Sequence, residues 1–215
     1  MRIAVIGGTG EHGGGLAVRW ARAGFELIIG SREARKAAAA AVDLKAKVPG
    51  AQINGRANER ALAEADFAVL AVPCEAHRST VEGLKTYLRG AVVIDTCVGM
   101  EPDRPGLLKL PPEGSTLQET MHLLGPGSRV VAAFQNIPAG LLWDLERGVS
   151  ADVLVCGDDE EAKQLAMTLA TSAGMRALDA GPASNARLVE ATAALMDVIN
   201  RRYSRSDMAL QFAAG

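Results

Sequence analysis

At 215 residues and 22.4 kDa the chain has room for one domain with at most a small appendage. Hydrophobic residues make up 48% and charged residues 22%, which excludes disorder, while a net charge of −2 and 4% aromatics exclude a basic nucleic-acid surface or a base-stacking platform. No run approaches the ~18 apolar residues that cross a bilayer, and Met1-Arg2 leads into glycines without a secretory apolar region, so a cytoplasmic chain with no membrane or nucleic-acid partner is expected. The three cysteines, Cys74, Cys97 and Cys156, form no C-x-x-C, and with only three histidines no metal centre is expected.

The elements alternate. A short apolar run over 2–6 predicts a buried parallel strand. After a glycine-rich turn, Leu16, Ala17, Trp20 and Ala21 recur at helical spacing, and Gly24 closes that helix. A second strand over 25–29 and an Ala/Lys/Arg-rich helix over 32–47 follow. Next come a helix over 58–65, a strand over 67–72 stopped by Pro73, a helix over 75–88 and a strand over 91–94. Residues 99–115, with Pro102, Pro105, Pro111 and Pro112, predict a loop. A helix over 116–124 leads to a strand over 129–134. This order is that of an α/β fold, a Rossmann-type doubly wound parallel sheet. The segment 135–139 leaves the sheet and marks the expected boundary between a dinucleotide-binding domain, 1–139, and a small C-terminal α/β cap, 140–215. The cap is predicted as strand 152–156, helix 159–173, strand 175–178 and helix 183–202.

Gly8-Thr9-Gly10-Glu11-His12-Gly13 fits G-x-G-x-x-G, a pattern that is weak alone. Here it follows a strand and opens a helix, the context in which backbone N–H groups approach a pyrophosphate. The alternative is a purely structural glycine turn. An NAD-binding chain places Asp or Glu at the end of the second strand. This one has Ser31-Arg32, with Lys36 one helical turn on, a hydroxyl and two cations suited to a 2′-phosphate. NADP is therefore expected over NAD.

Gln135 and Asn136 end a strand where open α/β sheets bind ligands, so their amides are candidates for a substrate's polar edge; satisfying loop backbone is the alternative. His77 reads as a helix-surface residue and His122 has no evident role. Asp159 suits a helix N-cap and Asp179 a turn. Arg201, Arg202 and Arg205 complement the end of the last helix. No nucleophile–base pair stands at a recognisable spacing, so no catalytic side chain is expected and chemistry would reside in cofactors.

These residues carry a resemblance. The chain resembles the NADPH-dependent reductases of coenzyme F420, a deazaflavin, over nearly its whole length. The likeness rests on 2–10, on Ile29-Gly-Ser-Arg32 with Lys36, and on Ala71-Val-Pro73 with Glu75. It continues through Ile137-Pro-Ala139, Val155-Cys-Gly-Asp-Asp159, Leu178-Asp-Ala-Gly-Pro182, Ser184-Asn185 and Arg187-Leu-Val-Glu190. A membrane ferric-reductase family shares a similar N-terminal half. The resemblance implies that Thr9 to His12 wrap the pyrophosphate and that Ser31, Arg32 and Lys36 hold the 2′-phosphate. It further implies that Val72, Pro73 and Cys74 flank the nicotinamide. Ala139, with Ile137 and Pro138, would support the meeting point of the two cofactors, and Met208 would touch the deazaflavin. A homodimer is also implied. Archaeal members carry Trp at the position of Cys74 and His at that of Gln135. The readings left open are reduction of a different acceptor (flavin, ferric chelate, quinone, imine or carbonyl) and a non-enzymatic NADP(H) sensor.

Overall fold

The computed structural model describes residues 1–101, 103–104, 106–146 and 148–213; Pro102 and Pro105 of the expected loop lie outside the described residues. In chain order the elements are β1 (Arg2–Ile6), α1 (Glu11–Arg22), β2 (Glu26–Ser31), α2 (Ala34–Lys47), β3 (Ile53–Ala57), α3 (Asn58–Glu64), β4 (Phe67–Leu70) and α4 (Cys74–Leu88). They continue with β5 (Val92–Asp95), α5 (Thr116–Leu124), β6 (Arg129–Ala132), α6 (Ala139–Leu142), β7 (Asp152–Gly157), α7 (Glu160–Ser172) and β8 (Arg176–Asp179). A 3-10 turn (Ala183–Asn185) then opens α8 (Ala186–Arg202). Among the described residues, no helix is long and apolar enough to cross a membrane.

The strands form one eight-stranded sheet in the order β3-β2-β1-β4-β5-β6-β7-β8, parallel throughout except where β7 runs antiparallel to β6. Alternation along each strand feeds two cores: Ile3, Val5, Leu27, Ile29 and Val69 pack on one face, and Ala4, Ile6, Ile28, Ala68 and Leu70 on the other. Strand order reverses between β1 and β4, which opens a crevice at their C-terminal ends. Beyond residue 140, β7 and β8 extend this same sheet, with α7 and α8 beside them.

One strand escapes the sequence reading. Edge strand β3, Ile-Asn-Gly-Arg-Ala, has a single buried residue, Ile53, and no apolar run. Its place depends on Gly55, where a Cβ would come within 2.2 Å of the Ala37 backbone, so α2 lies directly on the strand. Elsewhere the expected strands lie within two residues of the observed ones; those over 67–72 and 129–134 run two residues past β4 and β6, because the apolar run continues after strand pairing has ended.

Candidate functional site

The glycine loop between β1 and α1 stands at the reversal point. Gly7 takes φ +88°, and a Cβ there would lie 2.4 Å from the Ala71 carbonyl oxygen at the end of β4. Gly13 is equally confined, 2.8 Å from the Gly7 oxygen. These two glycines let the loop and α1 sit on the strand ends. Gly7 lies outside the six-residue pattern, so spacing alone misses its part. Gly10 is the N-cap of α1 and offers no side-chain cap, which leaves first-turn N–H groups without an acceptor in the helix. Such a helix end is a seat for an anion.

Beside it lies a cleft of ≈ 210 Å³ lined by Gly7, Thr9, Ser31, Arg32, Lys36 and Asn58, with Val72 and Pro73 among its other walls. Ser31, Arg32 and Lys36 therefore share one cavity. Glu33 lines it too, but Lys36 Nζ meets its carboxylate at 2.6 Å and offsets the charge. Among the described residues Arg32 forms no ion pair, which leaves its guanidinium for a phosphate. A helix N-terminus next to a hydroxyl and an uncommitted guanidinium fits an NADP-type dinucleotide.

A second cleft of ≈ 480 Å³ begins at Glu11, two residues past Thr9, so the glycine loop separates the two cavities. Gln135, Asn136, Ile137, Pro138 and Ala139 line it, as do Met100, Arg201 and Arg205. Long-range contacts build this wall. Arg19 of α1 donates to the carbonyls of Leu141, Leu142 and Asp144 at 2.7, 3.0 and 2.7 Å. Trp143 Nε1 donates to Glu11 O at 3.0 Å, and the Gly14 and Gly15 positions touch Trp143 and Leu142. Gly14 and Gly15 of α1 thus make room for the segment around α6.

Phe134 turns the chain into this wall with φ 71°, a conformation costly for a bulky residue, and is held there by edge-on contact with Trp20 at 5.5 Å. The two amides that follow separate in role. Asn136 donates to Asp152 O (2.6 Å) and accepts from Leu154 N (3.3 Å), tying β7 to the end of β6. Gln135 donates from Nε2 to Asp95 O at 2.8 Å, while its Oε1 is buried with no partner among the described residues. Gln135 therefore brings an unsatisfied acceptor to the wall of the cleft. Arg201 and Arg205 stand in the same cleft, each paired with a neighbouring carboxylate, Asp197 and Asp207. Helix-end complementation hides that placement in the sequence. Met208 is not a lining residue; its backbone pairs with the Asn200 side chain, two residues beyond Ser206, which does line the cleft.

Cys74 opens α4 in a third cavity of ≈ 300 Å³, where burial pushes its thiol up. His12, in the first turn of α1, is half-buried; burial lowers its ring to about 4, and Nε2 has no partner among the described residues, so it stands neutral.

His77 is not on the helix surface. It is 1% exposed, with Nδ1 2.6 Å from Glu119 Oε2 and Nε2 2.8 Å from Asp95 Oδ2. Burial opposes its charge, yet the two carboxylates outweigh burial and raise it to about 9. Burial likewise opposes the charge on Asp95, and the His77 ring, Thr120 and the Cys97 N–H hold it low. This charged cluster braces the end of β5, to which Gln135 is tied. Cys97 lies near His77 and Asp95, but both ring nitrogens are engaged and burial holds the thiol well above its ordinary value, so the set does not suit a metal ion. Glu190 of α8 is also fully buried, raised to about 7 by burial, and accepts from Gly99 N, Thr116 N and Thr116 Oγ1. Asp159 caps α7 and Asp179 holds its turn through Gly181 N, as expected.

The family model described as NADP oxidoreductase coenzyme F420-dependent matches residues 2–99. The F420-dependent NADP reductase of Methanocaldococcus jannaschii is 40% identical over 211 residues, 94% of each chain. The metalloreductase STEAP3 of Rattus norvegicus is 32% identical over 88% of this chain and 36% of its own, a likeness that runs well beyond the N-terminal half. A solved chain from Arthrobacter sp. FB24 has a TM-score of 0.82 at 23% identity and 99% coverage of both, which is a likeness of fold. With 40% identity carried over nearly the full length of both chains, this protein belongs to the F420-dependent NADP reductase family.

Proposed function

We propose that the chain transfers hydride between NADPH and the deazaflavin coenzyme F420. The observation that carries this is the placement of unsatisfied groups. Four buried side-chain atoms lack a partner among the described residues, and three of them, Asn58 Oδ1, His12 Nε2 and Gln135 Oε1, mark the nucleotide cleft, the glycine loop and the second cleft. Buried polar atoms without partners are rare, and a ligand spanning the two clefts would complete them.

The two cofactors supply the chemistry, a hydride passing between a nicotinamide and a deazaflavin ring. The protein binds, orients and shields. Gly8, Thr9, Gly10, Glu11, His12 and Gly13 seat the pyrophosphate on the N-terminus of α1. Ser31, Arg32 and Lys36 take the 2′-phosphate, and Val72, Pro73 and Cys74 direct the nicotinamide past the end of β4. Gln135, Ile137, Pro138 and Ala139 form the wall where the rings meet, with Asn136 fixing that wall to the sheet and Met208, through its backbone bonds to Asn200, holding the segment that brings Ser206 to the cleft. Holding two rings in reacting register removes much of the entropic barrier, so no catalytic side chain is required. Residues 140–215 complete the second cleft. Three free thiols suit a reducing cytoplasm. Leu188, Ala191, Leu195 and Val198 form an exposed stripe on α8 at helical spacing, which supports a homodimer.

Anaerobic mixing with NADPH and F420, followed by the deazaflavin's visible absorbance, tests the reading, with FMN and a ferric chelate as competing acceptors. Bleaching of F420 with little activity on the controls is expected. NADPH oxidation by a control acceptor alone would transfer the assignment to that acceptor, a reading that the small Cys74 and neutral Gln135 favour.

A further inference from the structure

We infer that Asn58 binds the adenosine ribose of the dinucleotide, its Oδ1 accepting a hydrogen bond from the 3′-hydroxyl. The inference rests on the reading of the first cleft as the NADP site. Asn58 opens α3 directly after β3 and is 7% exposed, yet its side chain lines the cleft that holds Ser31, Arg32 and Lys36. Its Oδ1 is buried and has no partner among the described residues. A buried carbonyl without a donor destabilises the free protein, and a ligand that brings the donor relieves it.

Position and chemistry together identify that donor. A Cβ at Gly30 would lie 2.9 Å from Asn58 Oδ1, so the amide rests over β2 one residue before Ser31. Glycine at 30 keeps this approach open; any side chain there would displace the amide. Phosphate oxygens are acceptors and cannot satisfy a carbonyl. The adenosine end of NADP offers two kinds of donor, the ribose hydroxyl and the 6-amino group of adenine. With the 2′-phosphate on Ser31 and Arg32, the adjoining 3′-hydroxyl is the donor that meets an oxygen lying against the strand. Asn58 then reads the ribose whatever its 2′ substituent, whereas Arg32 reads the phosphate. The two residues divide affinity from cofactor choice.

Calorimetric titration of the full chain with adenosine 2′,5′-bisphosphate and with its 3′-deoxy analogue tests this without reference to turnover. The wild-type chain should bind the 3′-deoxy probe roughly 3- to 10-fold more weakly, the size of one neutral hydrogen bond. Asn58→Ala should bind the parent probe more weakly by a similar factor and no longer distinguish the two. Asn58→Ser provides a second, smaller change if the alanine variant fails to fold, and the wild-type comparison needs no substitution. Equal wild-type affinity for both probes overturns the Asn58 contact, as does a variant that still distinguishes them. Absence of binding by either probe removes the nucleotide from this cleft and overturns the NADP reading with it.

Discussion

Raising the pH through about 9 removes the positive charge from His77, and with it the attraction that holds Asp95 and Glu119 together behind the second cleft. The rise from 6.5 to about 9 corresponds to about 3 kcal/mol of folding free energy, at 1.36 kcal/mol for each tenfold change in proton affinity. The folded state binds this proton more tightly than the unfolded chain does. The contribution is therefore complete below the ordinary value of 6.5 and is lost as the pH climbs through about 9. Replacing His77 by glutamine leaves two buried carboxylates without their cation at every pH. Urea unfolding of wild type and His77→Gln, from about pH 6 to about pH 9.5, should show a gap of ~3 kcal/mol or more at the acid end that closes toward the alkaline end. Burial also raises the thiols of Cys97 and Cys156, which weakens the fold in alkali, but both chains share that loss and it cancels in the difference. A gap that stays constant with pH would refute the charged ring and leave His77 as a neutral hydrogen-bonding group.

Removing the uncommitted guanidinium with Arg32→Ala should weaken NADPH by about 1.5–3 kcal/mol, the loss of a charge-assisted bond, and leave NADH nearly unchanged in fluorescence titrations. Equal losses for both nucleotides would sink the 2′-phosphate role. Gln135→Leu removes the acceptor facing the second cleft; the KM for F420 should rise on the order of tenfold while the Kd for NADPH holds, and the reverse pattern would place the amide on the wrong cofactor. Leu195→Glu puts a charge in the middle of the α8 stripe and should convert a dimer to monomers in sedimentation experiments. A wild-type chain already monomeric at micromolar concentration would remove the stripe as an interface.

Much of the nucleotide half is legible without a structure. The buried runs, the glycine loop and Ser31-Arg32 are local signals, because a strand, a tight turn and a helix start each depend on a few consecutive residues. Steric demand at close approach is less legible: Gly7, Gly30 and Gly55 carry it, yet nothing in their spacing shows what backbone or amide they must admit. Edge strand β3 is invisible for a related reason, since its pairing is imposed by β2 and α2 rather than by its own apolar content.

The second cleft was decided by tertiary structure. Arg19 and Leu142 stand 123 residues apart, and Thr116 and Glu190 74 apart, before folding joins them. The same holds for His77, whose polar ring gives no sign in the sequence that Asp95 and Glu119 will enclose it and make burial of its charge favourable. Gln135 shows the division within one side chain. The sequence supplies an amide at a strand end, and folding commits one N–H to the Asp95 carbonyl while leaving the oxygen without a partner among the described residues. Local propensity selects which groups stand at the sheet's edge; long-range packing alone determines which of their atoms remain free.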